Sequence, residues 1–121
     1  MKPDGLEAAV VSRVLNGEFE ACVSEAVWRE YLDVLSRPKF EAWAAQGRLI
    51  VGALEGCVVF VNPADSIAIA TDEDDNRFLE CAHAAGAQFL VTANLRHFPE
   101  RLGLTRIVNA REFLAQGKPV R

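Results

Sequence analysis

The chain has 121 residues, 50% of them hydrophobic, with 13 basic and 17 acidic side chains and a formal net charge of −4. This length predicts a single domain over residues 1–121, and the apolar content excludes a disordered protein. The longest apolar run, Cys57–Val61, is too short for a membrane span, which needs about 20 residues. The polar start is unlike a signal peptide. We therefore expect a cytoplasmic protein with no membrane association.

The charges are distributed unevenly along the chain. Residues 1–75 carry 6 basic and 14 acidic side chains, a net charge of −8, whereas residues 76–121 carry 7 basic and 3 acidic ones, a net charge of +4. This balance excludes a uniformly basic nucleic-acid binder but allows a local basic surface in the second part. The three cysteines are odd in number and lack zinc-site spacing, so we expect buried reduced thiols.

The first part of the chain alternates between helix-like and strand-like patterns. Strands are predicted over Phe19–Val23 and over Cys57–Val61, the second as a buried strand because its apolar run is continuous. Ser24 is a predicted N-cap, and Pro38 ends the helix that follows it. The predicted helices are Leu6–Leu15, Glu25–Ser36, Lys39–Ala45 and Arg48–Leu54, the last two separated by Gly47.

The second part continues the alternation. Asp72–Ala85 is predicted as a helix that ends before Gly86, and Asn109 is the predicted cap of a final helix through Ala115. Strands are predicted over Gln88–Thr92 and Leu104–Val108. Alternating strands and helices favour a parallel sheet covered on both faces, whose functional crevice lies at the carboxyl ends of the strands.

The acidic run that opens the helix Asp72–Ala85 is the densest chemical feature. On a helical wheel Asp75 falls inside the apolar arc, whereas Asp72 lies at its edge and Glu73 on the polar side. Helix capping alone explains exposed acids in a first turn, each worth about 0.3–1 kcal/mol. A carboxylate on the buried face instead needs a partner or a cation.

Two further residues follow strands. Asn94 comes directly after the strand Gln88–Thr92, and Glu30 borders the apolar face of its helix. Taken alone, Asn94 is explained as turn support and Glu30 as a boundary residue. If both converge with Asp75 at one edge of the sheet, the oxygen donors suit Mg²⁺ or Mn²⁺, which activate water for phosphoryl displacement. Arg96 and His97 follow in the same loop, where they either contact phosphate or only support the loop.

At this point the sequence resembles a known family. Asp72–Pro99 resembles the second half of PIN-domain proteins, which are metal-dependent ribonucleases, many of them VapC-like toxins of toxin–antitoxin pairs. Val23–Phe40 is similar to the second strand and following helix of that family, and the resemblance extends from about Leu6 to Leu114. Its most specific segments are Asp74–Glu80 and Val91–Asn94.

The resemblance implies a three-layer α/β fold with a mostly parallel central sheet flanked by helices. It implies that Glu30 and Asp75 are the family's second and third acids and that Asn94 stands where many members have a fourth Asp. Catalysis would then rest on these three residues, with Glu30, Asp75 and Asp72 binding Mg²⁺ or Mn²⁺. Thr92 would support the site, and Arg96 and His97 would bind RNA.

The chain departs from the family pattern at its start. The family opens with a central strand that ends in an Asp-Thr-Asn-like motif and supplies the first acid. Here only Asp4 and Glu7 precede the first helix, and neither follows an apolar strand, so neither takes that role. We therefore expect an N-terminally truncated domain with the first strand missing, from evolution or from truncation of a longer reading frame. Dimerisation, strand exchange or a rearranged sheet would compensate.

Two functions follow from these observations. The first is a VapC-like ribonuclease toxin, whether fully active, weakened or inactive, that acts on RNA and pairs with an antitoxin protein. Retention of Glu30 and Asp75 favours it. The second is a non-catalytic PIN-derived module for binding or homo-oligomerisation, favoured by the absent first acid and by the neutral Asn94.

Overall fold

The computed structural model describes residues 6–35 and 44–116, which fold into alternating helices and short strands. The helices are α1 (Leu6–Leu15), α2 (Glu25–Leu35), α3 (Ala44–Glu55), α4 (Glu73–Ala85) and α5 (Ala110–Gln116). The strands are β1 (Cys22–Val23), β2 (Val59–Phe60), β3 (Phe89–Val91), β4 (Arg101–Leu102) and β5 (Thr105–Val108). A one-turn 3₁₀ helix covers Leu95–His97. The α/β class predicted from the sequence is confirmed.

The strands form two small sheets. In the first, β1 pairs in parallel with β2, and Cys22 lies opposite Val59. In the second, β5 lies between β3, which is parallel to it, and β4, which is antiparallel. Within the described ranges no backbone ladder joins the two sheets. Other packing must therefore hold the two sheets together.

Helix α4 provides much of that packing, because it contacts both β1 and β3. Its Leu79 is completely buried, and Cys81 joins Val23 and Val27 in the core beneath the first sheet. At the second sheet, the ring of Phe113 in α5 lies 4.7 Å from the Phe19 ring and 5.5 Å from the Phe89 ring. These aromatic contacts connect the segment that precedes β1 with the first residue of β3.

The predicted helix ends are present where the sequence carries local signals. Asp72 caps α4 by accepting a 2.8 Å hydrogen bond from the Asp74 amide, and Gly86 ends the helix with a φ of +60°. The Ser24 hydroxyl accepts from the Val27 amide at 3.2 Å. Asn109 and Glu112 form a reciprocal capping box at the start of α5, with hydrogen bonds of 2.8 and 3.1 Å.

Some predicted bounds are wrong. The strand predicted over Phe19–Val23 is reduced to its last two residues. Gly47 does not separate two helices, because α3 continues through it to Glu55. A glycine costs a helix only about 1 kcal/mol, which does not by itself end a helix, and α3 also packs against α2. The start of the helix predicted over Lys39–Ala45 and the predicted end at Ser36 lie outside the described residues.

The prediction of a buried strand at Cys57–Val61 is also wrong. Only Val59 and Phe60 form the ladder, and their exposed fractions are 41% and 51%. β2 lies at the edge of a two-stranded sheet, which leaves it uncovered. Of the thiols predicted to be buried, Cys81 is buried, Cys22 is half-buried and Cys57 is exposed.

The hairpin between β4 and β5 has no counterpart among the predicted elements. It turns at Gly103, whose φ of +60° is readily adopted by glycine, and it brings Leu102 opposite Thr105. The 3₁₀ helix at Leu95–His97 was likewise assigned to a loop. Both elements are only two or three residues long, too short to show a hydrophobic period.

We predict that Asn76→Ala lowers the free energy of unfolding by about 3 kcal/mol. Asn76 is completely buried, and its side-chain amide donates to the Ala70 carbonyl at 3.0 Å and accepts from the Ala70 amide at 2.8 Å. Truncation leaves both backbone groups without these partners. Urea denaturation measures the loss, and Asn62→Ala, at an exposed position, is the matched control with an expected change below about 0.5 kcal/mol. Equal stability of both variants would contradict the role given to Asn76.

Candidate active site

Acidic side chains occupy the start of α4 at two depths. Asp72, Glu73 and Asp74 are exposed, whereas the Asp75 side chain is only 20% exposed. Asp75 is one turn before the completely buried Leu79, so the apolar face that buries the helix also withdraws this carboxylate from water. Two of the three acids with the expected metal role, Asp72 and Asp75, therefore lie at the start of the same helix.

The surroundings of Asp75 disfavour its charged form. Burial raises the pKa of Asp75, and the negative charges of Asp72 and Asp74 raise it further, while His97 lowers it. The imidazole Nδ1 of His97 lies 3.6 Å from Oδ2 of Asp75. A partly desolvated carboxylate beside other acids creates a negative potential that a cation relieves.

The loop after β3 brings His97 to this position. The amide of Asn94 donates a 3.1 Å hydrogen bond to the Thr92 hydroxyl, and the amide of His97 donates a 2.9 Å bond to the Asn94 carbonyl. The exposed Arg96 lies in the same 3₁₀ turn. Thr92, Asn94 and His97 thus belong to one compact turn at the carboxyl end of β3, and that turn contacts Asp75 through His97.

Glu30 lies on the neighbouring helix. It is half-buried on α2, three residues after the buried Val27 and on the same side of the helix. α2 packs against α4, where the Tyr31 and Phe78 rings lie 6.1 Å apart. Glu30 is adjacent in sequence to Tyr31, and Asp75 lies about one helical turn before Phe78. Both acids therefore flank the same contact between α2 and α4.

The described residues do not supply the donors of a fully coordinated divalent-metal site. Among residues 6–35 and 44–116, no group of three or more acidic, histidine or cysteine side chains is arranged to hold a metal ion. Mg²⁺ is nevertheless commonly bound through one or two carboxylates while it keeps several waters. Asp75 and Asp72 fit this partly hydrated type of site, and they do not fit a fully coordinated one.

Two polar residues that anchor the site were not identified from the sequence. Besides Asn76, the buried Glu80 accepts a 2.9 Å hydrogen bond from the Ile67 amide and pairs with Arg77 at 3.0 Å. Both hold the segment before α4 against the helix. They lie outside the apolar arc of the helical wheel, so periodicity gave no signal. The apolar run at residues 67–70 was the available sign that this segment packs against the helix.

An open cleft of about 330 Å³ lies at the carboxyl ends of β1 and β2, where the fold class places functional crevices. Its lining includes Ser24, Glu25, Arg29, Asn62 and Glu80. Arg29 pairs with Glu25, and Glu80 is bound as described above. Because these charges already have partners and Asp75 is not part of the lining, the acidic turn of α4 is the better candidate for chemistry.

The comparisons with known proteins give one match. A family model described as PIN domain matches residues 1–96, the greater part of the chain. No curated protein and no solved structure matches. No helix in the described ranges is long and apolar enough to cross a bilayer.

We predict that Asp75→Asn stabilises the metal-free protein at neutral pH. Because the pKa of Asp75 in the folded state lies above its ordinary value of 3.8, the folded chain binds this proton more tightly than the unfolded chain. The corresponding stability is complete below the unfolded pKa and is lost as pH rises through the folded one. The variant should therefore have the higher urea midpoint at about pH 7 and equal the wild type at about pH 3.

Asp74→Asn is the matched control for this prediction. Asp74 is exposed at the positive end of the α4 dipole, so its loss should cost about 0.3–1 kcal/mol at neutral pH. A wild type that is as stable as Asp75→Asn at neutral pH would refute the electrostatic cost assigned to Asp75.

Proposed function

The chain belongs to the PIN-domain family, and we propose that it is a divalent-metal-dependent ribonuclease of the VapC-like toxin type. Family membership indicates a nuclease-type function; RNA as substrate, metal dependence and the toxin role are our proposals. The observation that carries them is Asp75, a partly desolvated carboxylate among acids, in contact with the turn that follows β3.

We assign metal binding to Asp75 and Asp72, with Glu30 as the acid contributed by α2. Asn94 adds a neutral carbonyl oxygen at the end of β3. A bound Mg²⁺ or Mn²⁺ supplies polarisation of the phosphate and an activated water for phosphodiester hydrolysis. The raised pKa of Asp75 fits this role, because a nearby cation favours the charged form that burial and its acidic neighbours disfavour.

The turn after β3 is assigned to the RNA backbone. Arg96 and His97 are consecutive residues, and both are exposed. Nδ1 of His97 lies 3.6 Å from Oδ2 of Asp75. A guanidinium at this position can pair with a phosphate oxygen, and His97 can hydrogen-bond both the phosphate and the carboxylate that holds the metal. Thr92 fixes the turn by accepting from the Asn94 amide.

The toxin assignment implies partners besides RNA. We propose that an antitoxin protein restrains the enzyme in the cytoplasm, and that the domain is a homo-oligomer, most simply a dimer. Its separate sheets expose strand edges, and exposed edges tend to pair with another chain. We also retain the three-layer PIN arrangement as a proposal for the assembled protein.

A second candidate function is a non-catalytic PIN-derived module for binding or oligomerisation. The observation that favours it is the donor set: Asn94 is neutral, and the described residues contain no cluster of three or more metal-ligating side chains of the acid, histidine or cysteine type. Such a protein would keep the fold and its binding surfaces without hydrolysing RNA.

The two functions are separated by incubating structured and unstructured RNAs with the protein and Mn²⁺. We expect cleavage by the wild type and a rate at least about 100-fold lower for Asp75→Ala, because that change removes a carboxylate from the proposed metal site. Asp65→Ala is the control, since Asp65 is exposed and pairs with His83. Its rate should equal that of the wild type. Identical background for wild type and Asp75→Ala would establish the non-catalytic alternative.

A further inference from the structure

Strand β2 is an uncharged sheet edge. From Gly56 to Ala64 the chain has no ionisable side chain apart from the thiol of Cys57, and Val59 and Phe60 are 41% and 51% exposed. Sheet edges in natural proteins are usually protected by short length, charges, bulges or prolines within the strand, and the two-residue β2 has only the first of these. Here the first proline, Pro63, comes only after the strand has ended.

The hydrogen bonds to β1 fix which backbone groups of β2 face outward. The amides of Val59 and Val61 donate to Ala21 and Val23 at 2.9 and 2.8 Å. Because successive residues of a strand point to opposite sides, the amide and carbonyl of Phe60 face away from β1, as do the Val58 carbonyl and the Asn62 amide. The Val58 amide donates to the Leu54 carbonyl at 2.9 Å, so it belongs to the end of α3.

An apolar surface continues from this edge onto α2. The Phe60 ring meets the Trp28 ring edge to face at 5.8 Å, and Leu32, one turn further along α2, is 42% exposed. Tyr31 beside it is 44% exposed. The edge therefore offers backbone hydrogen bonds together with aromatic and aliphatic side chains.

We propose that this edge binds a second copy of the chain, with the two β2 strands antiparallel about a two-fold axis at Phe60. In a two-fold interface each residue faces the same surface on its copy, so a charged strand would repel itself and an uncharged one does not. The Phe60 residues exchange both backbone hydrogen bonds, and each Asn62 amide donates to the Val58 carbonyl of the other copy. Every outward donor then meets an outward acceptor, in four bonds.

The same observations explain why the ladder is short. The Val58 amide already donates to the end of α3, and Pro63 restricts the chain directly after Asn62.

The pairing of the β2 strands gives the proposed homo-oligomer a specific interface and does not depend on the nuclease activity. Its tests measure association and cross-linking without RNA or metal, so its failure and the failure of the nuclease proposal are distinguishable.

The register is tested by disulfide cross-linking. In a hydrogen-bonded antiparallel pair the Cα atoms are about 5.5 Å apart, which lies within the range that a disulfide spans. We expect Phe60→Cys, in a Cys57→Ser background, to form a covalent dimer when oxidised glutathione takes up the two electrons and two protons of the thiols. Leu104→Cys in the same background, at a residue that is 91% exposed, should remain uncross-linked.

Association itself is tested by sedimentation equilibrium at protein concentrations up to about 100 µM. We expect a dimer whose Kd rises at least about tenfold in Phe60→Lys, because the two-fold axis places both ammonium groups opposite each other. Leu104→Lys is the control, with an unchanged Kd, and circular dichroism checks that both variants fold. A monomeric wild type, or a dimer that is insensitive to Phe60→Lys and is not cross-linked through residue 60, would overturn the proposal.

Discussion

Packing of helix α4 across two sheets is the interaction on which the arrangement of this chain depends. In the described part of the chain the β1–β2 pair and the β3–β5–β4 sheet share no ladder, yet α4 contacts a strand of each. The completely buried Leu79 and the buried Cys81 mark the face through which it does so. The position of every group on α4, including the acidic first turn, follows from this packing.

The same packing creates an electrostatic cost at one place. Seating the apolar face of α4 withdraws Asp75 from water beside two other acids, and its pKa rises. Burial of a carboxylate without a cation destabilises the fold, and proteins tolerate such costs at functional positions. Asn76 and Glu80 hold the preceding segment against the same helix, so the site is supported by buried polar contacts on one side and by the turn that carries His97 on the other.

The sequence predicted those parts of the fold whose signals are local. Leu6–Leu15 is a helix with the predicted bounds, and the ends of α4 and α5 follow from Asp72, Gly86 and Asn109, whose caps involve only neighbouring residues. The exposure of β2 was not predictable, because an apolar run does not show whether a strand lies at the centre or at the edge of its sheet. The contacts of Asn76 with Ala70 also depend on how an irregular segment folds back.

The candidate site was predictable to a similar degree. The wheel placed Asp75 on the buried side of α4, and the structure shows it half-buried there, with 20% of its side chain exposed. Its contact with His97 depends on a 3₁₀ turn that no periodicity reveals. Family resemblance supplied the roles proposed for Glu30 and Asn94, which composition and spacing alone left as a boundary residue and a turn residue.

The most direct test of this account is the binding of Mn²⁺ in the absence of RNA, measured by electron paramagnetic resonance. The account predicts that the wild type binds the ion, that Asp75→Asn loses this binding, and that Asn94→Asp tightens it by adding a carboxylate. Asp65→Asn, at an exposed residue that pairs with His83, should bind as the wild type does. A wild type that binds no Mn²⁺, or binding that persists unchanged in Asp75→Asn, would contradict the assignment of this acidic turn as a metal centre.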